Sequence, residues 1–67
     1  MRLTAVIHKE GGWYIALNPE TGTTTQGKTF DKALANLKEA TELYLEEFPL
    51  PEPEPSILTT FEVPLHA

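Results

Sequence analysis

The chain carries two histidines, His8 and His66, and no cysteine. They stand 58 residues apart with no spacing motif, so they read as ordinary surface groups rather than metal ligands. Thr23, Thr24 and Thr25 offer hydroxyls with no base beside them, and Gly11-Gly12 is a turn rather than a phosphate cradle. Neither a P-loop nor a G-x-G-x-x-G or G-x-S-x-G motif is present. The expectation is therefore a non-enzyme with no cofactor and no metal. What remains are residues suited to molecular contact. Trp13 and Tyr14 are aromatics of the kind that anchor interfaces. Glu39, Glu42 and Glu46 suit a basic partner, and Leu43 is an apolar residue among them. Tyr44 falls within a helical apolar stripe and is assigned to the core.

The element that must position most of these is Thr29 to Phe48. At 100° per residue, Phe30, Ala33, Leu34, Leu37, Ala40, Thr41, Tyr44, Leu45 and Phe48 gather on one side. Lys32, Glu39, Glu42 and Glu46 fall opposite, and Leu43 lies outside the stripe. Thr29 is the expected N-cap, Asp31 suits the first turn, and Pro49 with Pro51 forbids continuation. Ahead of the helix, residues 2–8 alternate in period two and predict a strand. Lys9 to Gly12 supplies a hairpin turn, and residues 13–17 a second strand. Asn18 to Gly22 is a turn cluster, and Thr23 to Gln26 a short edge strand.

After the helix, residues 48–55 form a Pro-rich linker in which PLPEPEP predicts a stiff, polyproline-II-like strap. Residues 56–63, SILTTFEV, alternate again and predict a fourth strand, the last element of one domain spanning residues 1–67. A strand rejoining the sheet after a helical crossover runs parallel to its neighbour. The expected fold is thus two-layer α+β in the order β-β-β-α-β. An antiparallel meander gains one parallel edge strand beside strand one, and one long helix covers one face. The other sheet face then leaves an aromatic partly uncovered, and such surface marks an interface.

Sixty-seven residues sit near the lower limit for a self-sufficient core, and no disulfide assists. Homo-oligomerisation, as a dimer or tetramer, is expected. The net charge of −5 is uneven. Residues 1–28 hold three cations against two acids, a net of +1, whereas residues 29–67 hold two against eight, a net of −6. Without a Lys/Arg surface, direct nucleic-acid binding is not expected. No run of about 18 apolar residues exists to span a bilayer, and no signal-peptide core stands at the N-terminus, so a cytoplasmic, membrane-free protein is expected.

Residues 3–47 resemble the N-terminal domain of HicB-like antitoxins of type II toxin–antitoxin systems. The features that carry the resemblance are a charged Gly hairpin with an aromatic, then Thr25-Gln26-Gly27-Lys28-Thr29 opening a helix. That helix reads Ala33-Leu34, Asn36, Lys38-Glu39-Ala40 and Glu42 through Glu47. The family's usual D-L-P-G-C-like turn is replaced here by Pro19 to Thr23. The resemblance implies a partial ribonuclease-H-like β-β-β-α-β topology. It also implies a role: binding and occluding a small basic HicA-type toxin that degrades messenger RNA. With the sequence ending at Ala67, no DNA-binding segment is expected, and operator binding is not carried over. A ribonuclease-H-like nuclease needs several carboxylates converging on two metal ions. The predicted strands offer only Glu62, with Glu10 and Glu20 in turns, so nuclease activity is not expected. The competing expectation is an orphan module that self-associates and has no toxin.

Overall fold

The computed structural model describes residues 1–54 and 56–65. Three strands, β1 (Val6–Glu10), β2 (Trp13–Leu17) and β3 (Thr24–Gly27), form an antiparallel sheet in the order β1-β2-β3. One helix, α1 (Phe30–Glu47), covers one face. The meander and the covering helix are those the periodicity predicts. β1, however, begins four residues later than expected and runs on through Lys9 and Glu10. Gly11 alone takes the positive φ, 61°, so two glycines close the hairpin and Glu10 pairs with Trp13. At the other end β2 stops at Leu17 before Pro19, and no ladder partner remains for residues 2–5. β3 is shifted by one residue, ending at Gly27 rather than Gln26.

The helix begins and ends where its caps dictate. Thr29 Oγ1 accepts from the Lys32 N–H at 3.1 Å, and the Phe48 N–H donates to the Tyr44 carbonyl at 2.8 Å. Ala33, Leu37 and Thr41 are its buried residues, spaced by four along one line. Ala16 on β2 meets Ala33 and Leu37, with Ala5, Ile7 and Tyr14 packed around them. The helix lies chiefly on β3, less on β2 and least on β1. That offset follows from Gly27. A Cβ there would stand 2.5 Å from the Ala33 nitrogen, so only glycine admits the helix backbone this close to β3. Thr25 Oγ1 donating to the Ala33 carbonyl, and Asn36 Nδ2 to the Gln26 carbonyl, fasten the same contact.

The fourth strand expected over residues 56–63 is not formed: among the described residues, 56–65 belong to no ladder. Ser56 is held at the β2–β3 turn by its hydroxyl, which donates to Glu20. Beyond it Ile57, Phe61 and Leu65 are 90%, 85% and 94% exposed. The Cα radius of gyration, 14.0 Å, exceeds the roughly 11 Å of a compact chain this long. Period-two alternation specifies which face a strand buries, but a strand also needs an edge to bond to. This segment pairs with none in its own chain.

Candidate functional site

The register decides which side of the sheet each aromatic faces. Ile7 pairs with Ala16, and both pack under the helix. Tyr14 shares that side, half-buried, with its ring edge-on to Phe30 at 6.5 Å. Trp13, next in the chain, points the other way, in line with Ile15 and Leu17 and with Val6 across the hairpin. The open face therefore carries an apolar row in which Val6, Trp13 and Leu17 are each 37–38% exposed. Lys28 stands over the Trp13 ring with Nζ 3.8 Å from its centroid, a cation–π contact that restrains the indole. Lys28 and Val6 were not singled out by the sequence, because their roles depend on strand pairing.

Glu39, Glu42, Leu43 and Glu46 lie on the outer face of α1 at spacings of three, four and seven, and all are exposed. Leu43 is 57% exposed, an apolar residue between acids. None of these carboxylates is in an ion pair among the described residues; the one pair found there joins His8 to Glu10 at 3.4 Å. His66, the other histidine, lies outside the described residues. Leu43 and Glu46 also line an open groove of about 540 Å³ where the end of α1 meets the β2–β3 turn, with Tyr44, Glu47 and Phe48 alongside. The structure thus places Trp13 and the helical acids on opposite sides of the molecule and Tyr14 between the layers. The six contact candidates do not form one site.

That turn gathers most of the side-chain hydrogen bonds found among the described residues, where the sequence shows only a cluster of turn formers. Asn18 is buried to 1% exposure. Its Nδ2 donates to the Thr4 carbonyl and to Glu20 Oε1, both at 2.7 Å, and its Oδ1 accepts from the Thr21 N–H at 2.9 Å. Glu20 Oε1 also accepts from the Thr4 N–H at 2.7 Å. Side chains thus satisfy the backbone that a longer β1 would have bonded. The Ser56 hydroxyl, followed by the Thr4 amide, holds the Glu20 carboxyl down at about 2. Gly22 takes a φ of 78° to close the turn.

A second groove, about 490 Å³, runs between the N-terminal segment and the helix. Leu3, Ala5, Leu34, Leu37 and Leu45 line it, and the Thr41 hydroxyl buried beside it has no hydrogen-bond partner among the described residues. No group of three or more His, Asp or Glu converges among the described residues in a way that could hold a metal ion. Among the same residues no helix is long and apolar enough to cross a membrane.

A "family of unknown function (DUF7387)" matches residues 3–63. The chain belongs to the DUF7387 family. The match takes in the sheet, the helix, the strap and the projecting segment as far as Val63, so that segment is part of the DUF7387 domain. A "UPF0150 protein" of Helicobacter pylori (strain J99 / ATCC 700824) is 48% identical over 46 residues, which cover 67% of this chain. The same stretch covers 64% of the relative, so the chain spans slightly less than two thirds of that protein. No solved structure matches this DUF7387 chain.

Proposed function

We propose that this protein is a non-enzymatic, cytoplasmic, HicB-like antitoxin domain that binds a small basic HicA-type mRNA-degrading toxin and occludes it. The observation that carries the reading is the charge on the outer and C-terminal part of α1. The last turn holds Glu46 and Glu47 and no basic residue, although the negative end of a helix dipole favours cations by about 0.3–1 kcal/mol each. Glu42 and Glu46 also repel at i,i+4. These acids weaken the helix that carries them, and a cationic partner would reverse the sign of both effects. Leu43 and the neighbouring groove supply the apolar contact that holds a partner once charge has steered it in. The resemblance of residues 3–47 to HicB-like domains supports a HicA-type toxin as the partner, and a partial ribonuclease-H-like topology is part of the same reading.

The test is co-expression with a HicA-type toxin encoded beside this gene. The proposal expects a complex that co-purifies at low salt and suppresses RNA cleavage. A toxin that elutes alone and stays active in excess of this chain contradicts it. A second reading, an orphan module that assembles only with itself, is favoured by the Val6, Trp13 and Leu17 row. It predicts self-association with no toxin binding at all.

A further inference from the structure

We infer that residues 57–63 are an exchanged strand: each chain lends this segment to the outer edge of β1 in a second copy, giving a reciprocal two-fold dimer. The segment has the pattern of a strand and no place of its own. Ile57, Phe61 and Val63 fall on one face with Thr59, and all three apolar residues are at least 64% exposed. The acceptor also stands ready. β1 is an edge of the sheet, with one side of its backbone unbonded. Beside that edge, under the helix, runs the groove lined by Leu3, Ala5, Leu34, Leu37 and Leu45. A strand laid along β1 points alternate side chains into this groove, and Ile57 and Phe61 are the large apolar residues at that spacing.

The strap decides between a chain's own edge and a neighbour's. Pro49, Pro51 and Pro53 lock φ near −65° and stiffen the hinge. Glu20 then fixes Ser56 at the β2–β3 turn, and beyond that anchor the chain stays exposed and pairs with no strand of its own sheet. A stiff hinge that presents a bonded-out strand makes exchange with an identical partner the low-cost closure. A two-fold exchange buries both segments and both β1 edges at once, whereas a one-sided contact leaves a second copy of each exposed.

Light scattering on the full 67-residue chain at about 100 μM tests this. A mass of about 15 kDa, twice the 7.5 kDa of one chain, is expected. Phe61→Asp should shift the mass to that of a monomer with the far-UV helix signal kept, whereas Trp13→Asp, on the open face, should leave the dimer intact. A wild-type monomer overturns the inference, and so does a dimer broken by Trp13→Asp but not by Phe61→Asp. If Phe61→Asp loses its helix, hydrogen exchange of the wild type decides. Amides of Val6 to Glu10 that gain protection with rising concentration support exchange, and protection independent of concentration refutes it. No toxin enters the experiment, so its outcome is separate from that of the antitoxin proposal.

Discussion

Two single residues set conditions that the rest of the chain obeys. Gly27 has no room for a Cβ because the Ala33 backbone lies against it. Gly27→Ala must push the helix off β3 and should cost about 2–3 kcal/mol, the upper part of the overpacking range. Chemical denaturation, with the m-value as a check on native compactness, measures it. Against a total stability of about 5 kcal/mol for so small a domain, that is roughly half. Glu20 is the other. Its carboxyl titrates near 4.5 in an unfolded chain and is held to about 2 here by Ser56 and Thr4. The bonds it accepts therefore stabilise the fold fully above about pH 4.5. They are lost as the pH falls from there towards 2. The thermal stability of wild type should fall across that window, and Ser56→Ala, which raises the folded-state value, should make that pH-dependent loss smaller and end it at higher pH. A Glu20→Gln variant, with no proton to take up, should be flat over the same range.

At the scale of elements, the helix was the most legible part of the sequence. Its apolar residues recur every three or four positions, and the expected limits, Thr29 and Phe48, are the observed N-cap and C-cap residues, each one residue outside the helix. The buried line is narrower than the apolar stripe: Ala33, Leu37 and Thr41 are buried, while Phe30, Leu34 and Phe48 stay exposed. Three strands cannot cover a five-turn helix, so the stripe's margins await another element. Leu37→Ala should cost about 2–5 kcal/mol in a urea titration, since Leu37 fills the centre of the contact with Ala16. β1 was legible in kind but not in bounds. Arg2 to Ala5 continues the alternation, yet pairing ends where β2 ends. Asn18 could not have been placed from sequence at all. Its burial is produced by Thr4 and Glu20 closing on it from 14 residues before and two after. The alternation over residues 56–63 is legible, but alternation specifies the faces of a segment and not an edge for it to bond, and residues 56–65 join no ladder in this chain.

For the whole molecule, what matters is how much it leaves uncovered. One sheet face shows Val6, Trp13 and Leu17, the projecting segment shows Ile57, Phe61 and Val63, and the outer helix face shows Leu43 among acids. Exposed apolar surface of this kind marks sites of interaction. The two proposals assign these surfaces separately, the strand segment to a second copy and the acidic helix face to a basic toxin. They can therefore coexist in one complex. A basic toxin steered to the proposed acidic face by charge should associate at a rate that falls steeply as salt rises. The most direct measurement is the association rate of a HicA-type toxin with wild type and with a Glu39→Lys, Glu42→Lys, Glu46→Lys variant at low salt. The account predicts tight wild-type binding and a loss of about tenfold or more in rate for the variant. Equal rates for the two, or no binding by the wild type at low salt, would contradict it.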